Sequence, residues 1–167
     1  MKSIRFLLLA LCGCAAISCE KSSSGDNNDP AHILASTHWR ATLTDENPAT
    51  NPPGEFGDVN DVDYNNLKHH QYYLWQDCHM DDTFTFKNGR FNVDDNKTVC
   101  PDGMDLILGL ANQPYVYDEA SKKLTIGTGD DSATVQVYEL NETRLKLGVA
   151  LSTTSGLKHI IFLFKKK

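Results

Sequence analysis

No stretch of this chain reaches the roughly twenty consecutive apolar residues that a membrane-crossing helix needs. The longest, Ile4 to Ile17, is about fourteen residues and is broken by Cys12, Gly13 and Cys14. Basic residues are in the minority, 16 Lys and Arg against 22 Asp and Glu, for a net charge of −6. That balance excludes nucleic acid as a partner, because phosphates demand a basic footprint. The one basic run, Lys165-Lys166-Lys167, reads as a solubilising tail after a buried strand, with contact to anionic lipid as the alternative. Glycine-rich phosphate loops, a Ser nucleophile elbow and paired metal motifs are all missing. Abundant acids alone do not signal a glycosidase, where the carboxylate separation is what matters. Cysteine is scarce too: five in all, three of them within the first nineteen residues.

Those first nineteen residues carry the clearest pattern. Lys2 and Arg5 form a basic start, Phe6 to Leu11 an apolar run, and Ala16-Ile17-Ser18-Cys19 resembles a lipobox, cut before the cysteine. Residues 1–18 are therefore expected to be a lipoprotein signal peptide, with Cys19 as the lipid attachment site. Leu11 before Cys12 and Gly13 before Cys14 give poorer contexts for the cut than Ser18 before Cys19. Diacylglycerol on Cys19 and an added amide-linked chain such as palmitate would anchor the protein stably, since each buried CH2 contributes about 0.8 kcal/mol. Removing Lys2 and Arg5 takes the net charge from −6 to −8. The expected location is the cell envelope, as an outer-membrane lipoprotein facing the periplasm or the cell surface; the inner membrane fits the anchor as well.

Residues 19–31 are rich in Ser, Asp and Asn without apolar periodicity, so a flexible lipidated tether is expected there. Residues 32–167 are long enough for one domain with a real core. Trp39 to Leu43 reads as a first strand. Asp45 to Asp63, with Pro48, Pro52, Pro53, Gly54 and Gly57, is a long irregular excursion of the kind that is often functional. Tyr64, Leu67, Leu74, Trp75 and Cys78 recur at helical spacing, which predicts a short helix over Tyr64 to Trp75 with Asp61 or Asp63 as its cap. From Thr83 the period changes to two. Thr83 to Phe86, the turn Asn88-Gly89 and Arg90 to Val93 form a hairpin signal. Further strands are expected at Leu106 to Leu110, Tyr115 to Tyr117, Lys123 to Ile126, Ala133 to Leu140, Arg144 to Leu151 and Lys158 to Phe164. Regular spacing and short joints argue for an antiparallel meander closed as a barrel or sandwich. Ile160 to Phe164 is apolar on both faces, which suits a strand that closes a barrel and is covered outside.

Exported proteins meet oxidising conditions, where the two cysteines left after Cys19 are expected to pair. A Cys78–Cys100 disulfide is the first reading and two buried thiols the alternative. His69, His70, Asp77, His79, Asp81 and Asp82 are metal-capable but lack the convergent spacing of a zinc site, so no metal and no cofactor are expected. Asp81 and Asp82 are instead expected to accept hydrogen bonds from backbone amides at a strand entrance. Asp58 to Asp63 fails the EF-hand template: it has no oxygen donor at its fifth position, no glycine at its sixth and no glutamate at its twelfth. Asp130-Asp131 reads as turn chemistry.

Cys78-His79-Met80-Asp81-Asp82-Thr83-Phe84-Thr85-Phe86, followed by Asn88-Gly89, Cys100 and Leu124-Thr125-Ile126, with Trp39 early, resembles the lipocalin-like domain of exported Bacteroidetes lipoproteins. The likeness covers about Leu34 to Phe164. It implies a mainly β fold, a small antiparallel up-and-down barrel of about eight strands with one disulfide and a short helix in the first long connection. Two departures stand out: a longer Pro/Gly-rich insertion, and Tyr115 or Tyr117 where a Trp often sits. In such a host, Asp131-Ser132-Ala133 matches a three-residue O-glycosylation pattern at Ser132. The likeness implies a non-enzymatic binding module. Trp39, Phe84, Phe86, Phe91, Tyr115 and Phe162 are the candidates to line a pocket for a small apolar or amphipathic ligand; as a default they are core. The alternative is a filled barrel that recognises a protein or glycan through the Asp45 to Asp63 excursion.

Overall fold

The computed structural model describes residues 28–57, 70–100, 107–153 and 156–167. Its first element is helix α1, Pro30–Ser36. Pro30 stands at the first helical position, where its missing N–H costs nothing, and the Asp29 carboxylate accepts from the Ala31 amide at 3.0 Å. Seven residues are too few for a helix to stand alone in water. Burial of Ile33 and Leu34 in the core holds it in place. Helix α1 thus takes in the last two residues of the expected tether, Pro30 and Ala31.

Nine strands follow among the described residues: β1 His38–Ala41, β2 His70–Tyr72, β3 Thr83–Lys87, β4 Arg90–Asp94, β5 Tyr115–Asp118, β6 Lys123–Ile126, β7 Ala133–Leu140, β8 Arg144–Thr153 and β9 Gly156–Lys166. Eight lie in the order β4-β3-β1-β9-β8-β7-β6-β5, each antiparallel to its neighbour. The two ends of this path come together. Tyr115 N donates to Gly89 O at 3.0 Å, Phe91 N to Gln113 O at 2.9 Å and Asn112 N to Phe91 O at 2.7 Å, so the sheet nearly closes into a barrel. The β3–β4 turn has positive φ at both Asn88 (55°) and Gly89 (69°), the two-residue geometry that follows the twist of a hairpin.

Strand β9 organises the barrel. One edge pairs with β8 along its whole length. The other edge is shared: β1 takes Phe164 to Lys166, and β2, running parallel, takes His159 to Ile161. The long excursion between β1 and β2 carries the chain back to the far end of that edge. Ile160, Phe162 and Phe164 belong to the core cluster, while Ile161 and Leu163 on the opposite face are buried too. Both faces of this apolar strand are covered, as its composition requires.

Two sequence expectations are corrected. The helix expected over Tyr64 to Trp75 is extended in its described part. Residues 58–69 lie outside the described residues, but His70–Tyr72 is β2. Beyond it, Tyr73 stacks on Phe162 at 4.5 Å and Trp75 packs on Phe84 and Phe164, each at 5.4 Å. The period that operates is two, with Tyr73 and Trp75 on one face and Tyr72 and Leu74 on the other. β-favouring aromatics and the waiting edge of β9 outweigh a helical spacing that drew on Tyr64 and Leu67. The strand expected at Leu106 to Leu110 is a 3-10 turn at Leu108–Leu110, with Leu110 N donating to Ile107 O at 3.0 Å. Asn112, at φ 64°, then turns the chain toward β5. Ile107 drops fully into the core.

Candidate functional site

The six residues expected to line a pocket are brought together, but they touch each other. Trp39, Phe84, Phe86, Phe91 and Phe162 are each at most 1% exposed. Phe86 meets Phe91 at 5.0 Å, and Phe84 meets Phe164 edge-on at 5.1 Å. Tyr115 stands at the margin, half-buried and edge-on to Phe86 at 5.2 Å, with its hydroxyl donating to Phe86 O at 3.0 Å. Ile33 and Leu34 of α1 add to the same cluster. These side chains fill the barrel rather than line it. Tyr73 and Trp75 are core residues as well.

Hollows lie on the surface of the described residues. One of about 260 Å³ runs over the outer face beside Tyr138, Gly148, Ala150 and His159. One of about 320 Å³ lies between Leu110, Gln113 and Ser132. A third and much smaller one, about 10 Å³, sits where the excursion meets the barrel, between Thr42 to Glu46 and Glu139, Arg144 and Lys146.

That third place is the most elaborated polar site. β7 carries a register shift between Val137 and Glu139, which sets Glu139 opposite Lys146. The Lys146 ammonium, 2% exposed, donates to both carboxylate oxygens of Asp45 at 2.9 Å, to Asn47 O at 2.9 Å and to Asn51 Oδ1 at 2.6 Å. The Tyr72 hydroxyl donates to Asp45 Oδ2 at 2.7 Å, and Asn51 Nδ2 donates to that hydroxyl at 2.6 Å. Glu139 accepts from Arg144 Nε at 2.8 Å, Asn141 Nδ2 at 2.9 Å, Asn47 Nδ2 at 3.1 Å and the Thr50 hydroxyl at 3.3 Å. Burial alone would raise the Asp45 carboxyl, but Lys146, Tyr72, the Asn47 amide and Asn51 together hold it below its ordinary value. Glu139 is likewise lowered, burial being outweighed by Arg144 and Asn47. Burial, reinforced by Asp45, pushes Tyr72 up to about 12. Lys146 is a saturated cation, with all its donors engaged. The cluster therefore clamps Asp45 to Asn51 onto the outside of β7 and β8 and offers no free base or nucleophile. Sequence reasoning singled out the excursion but not its anchor, because an outward Lys between Leu145 and Leu147 looks like any solvated strand residue.

Among the described residues the metal-capable set is dispersed, and His69 lies outside them. His70 Nε2 lies 2.6 Å from Pro53 O, its ring against Phe56 and His159. His79 is buried at the other end of that segment, edge-on to Trp75 at 5.9 Å. Cys78 and Cys100 form the expected disulfide, with Cα atoms 5.4 Å apart. Asp81 Oδ2 accepts from the Lys97 amide at 3.1 Å, so its expected amide bond forms, to the segment leaving β4. Asp82 is 1% exposed, and its Oδ1 has no hydrogen-bond partner among the described residues. Burial, with Asp95, Asp81 and Asp94 adding repulsion, pushes its carboxyl up to about 6. Asp130 and Asp131 close the 3-10 turn Gly129–Asp131, as turn chemistry requires. Ser132 follows, exposed, its hydroxyl donating to Gly129 O at 2.8 Å. Cys19 and Asp58 to Asp63 lie outside the described residues.

Comparison with protein-family models, with curated proteins and with solved structures finds no match to this chain.

Proposed function

We propose that this chain is a lipid-anchored, non-enzymatic interaction module of the cell envelope, a filled lipocalin-like barrel that recognises a protein or a glycan through its outer surface. The observation that carries this reading is the interior. Trp39, Phe84, Phe86, Phe91 and Phe162 are packed on one another with no exposed face to offer a guest. A small apolar ligand would have to displace them or bind outside the barrel. Asp45 to Asn51 of the excursion, clamped by Lys146, is the preorganised outer feature, and a segment already held in place loses less entropy when a partner docks on it. The Cys19 anchor supplies the membrane attachment, and Ser132 stands exposed where a glycan could be added.

Native mass spectrometry of the full chain, purified in detergent from its own host, tests this. The expected species starts at Cys19, carries its acyl groups and has no small molecule bound. A co-purifying apolar molecule that survives detergent exchange would overturn the filled-barrel reading in favour of a ligand carrier. An intact mass equal to peptide plus lipid alone would remove the Ser132 glycan from the proposal.

A further inference from the structure

Cys78, His79 and Cys100 each direct one ligand atom to a common place: two Sγ atoms and an imidazole nitrogen, all within 4.8 Å of one another. No other three His, Cys, Asp or Glu side chains converge so closely among the described residues. In the oxidised protein the two sulfurs are joined to each other.

We propose that the reduced form of this protein binds one metal ion of the Zn²⁺ or Cu⁺ class through Cys78 Sγ, Cys100 Sγ and a ring nitrogen of His79. This end of the barrel then carries either a disulfide or a metal ion, not both.

The donor set selects the class. Thiolates with an imidazole favour soft and borderline ions over calcium or magnesium, which take oxygen ligands. Metal–sulfur bonds of about 2.3 Å and metal–nitrogen bonds of about 2.0 Å place tetrahedral ligands roughly 3.5–4 Å apart, within the span these atoms already occupy. Once the S–S bond is cut, rotation about two Cα–Cβ bonds separates the sulfurs to that distance. The frame that holds the ligands is built without the disulfide. Asp77–His79 is a 3-10 turn closed by His79 N to Gln76 O at 2.9 Å and Met80 N to Asp77 O at 3.2 Å. The His79 ring is buried against Trp75. Cys100 is brought across by the segment after β4, which the Asp81–Lys97 and Asn96–Thr83 hydrogen bonds tie to the start of β3. Both cysteines are half-buried, which leaves one side open for a water or an outside ligand to complete four-coordination.

The chemistry balances. A dithiol reductant gives two electrons and two protons to the disulfide, becoming a disulfide itself and leaving two thiols. Metal binding then releases those two protons as the sulfurs bind as thiolates. Re-oxidation by a disulfide donor reverses both steps and expels the ion.

The test uses the full chain in detergent, reduced anaerobically with a phosphine and titrated with Co²⁺. The expected result is one Co²⁺ per chain, with a thiolate-to-cobalt charge-transfer band and intense visible bands of tetrahedral cobalt, all displaced by one equivalent of Zn²⁺. The oxidised chain should show none of these. His79→Gln should weaken binding by more than the roughly 10–100-fold that loss of a mere ligand-orienting partner costs. Near-UV circular dichroism follows the fold in parallel. If reduction alone loosens this end of the barrel, Zn²⁺ should restore the spectrum. A reduced chain that takes up no cobalt, folded or loosened, overturns the proposal. So does a His79→Gln variant that binds as tightly as the parent.

Discussion

Lys146 shows how much one residue can decide here. Its ammonium is out of water and depends on Asp45, Asn47 and Asn51 for every interaction it has lost. Deleting one partner of such a pair strands the other's charge, at a cost of about 3–5 kcal/mol, whereas replacing both with apolar groups of similar volume is often close to neutral. Lys146→Ala should therefore lower the urea-unfolding free energy by about that amount. The double variant Lys146→Met, Asp45→Leu should recover most of the loss. Asp82 is the opposite case, a buried carboxyl facing Asp81, Asp94 and Asp95. Its folded value lies above the ordinary one, so its contribution to stability is fully present below 3.8 and is lost as pH rises through about 6. Asp45 and Glu139 are lowered, so theirs is present above the ordinary carboxylate range and is lost as pH falls through their folded values. Urea unfolding from pH 4 to pH 7 should show Asp82→Asn gaining stability relative to the parent as pH rises; a constant difference would refute the assignment.

Elements whose own residues set their conformation were legible in the sequence. β6 and β7 fall at the expected residues, and the β3–β4 hairpin follows from Asn88-Gly89 between alternating aromatics. The turn before β7 is equally local. Gly127 sits at φ 94°, and a Cβ there would collide with Asp131 O, so Gly127→Ala should cost more than the roughly 1–2 kcal/mol that a Cβ costs in a left-handed conformation. Thermal unfolding measures that directly. β2 was not legible, because what makes it a strand is the edge of β9, nearly ninety residues on, pairing His70 with His159. The clamp was hidden for the same reason: Asp45 and Lys146 are 101 residues apart, and nothing in the pattern around either one points to the other. Of the six aromatics five lie in the interior and Tyr115 stands at its margin, and residue types alone could not say whether they would fill it.

At the scale of the whole molecule, a filled interior has a consequence that a hollow one would not. The parent protein should not bind small apolar probes. Phe162→Ala, which removes a ring contacting both Tyr73 and Trp75, should cost about 3–5 kcal/mol and open a dry cavity. Benzene or xenon should bind that variant and not the parent, as seen by ligand-induced shifts in melting temperature. Binding of equal strength to both would mean that the barrel already holds a cavity.

Strand β9 also sets the order in which the molecule can come into being. β1, β2 and β8 all find a partner in Gly156–Lys166, and β1 does so across more than 120 residues. Until that segment has emerged, the first half of the chain has hairpins to form but no barrel to join. Barrel closure is thus deferred until β9 has been made, at the slow rate that long-range pairing imposes. For a polypeptide proposed to thread through a membrane before it is anchored, the delay is useful: without β9 to join, the preceding segments stay linear enough to pass a narrow pore.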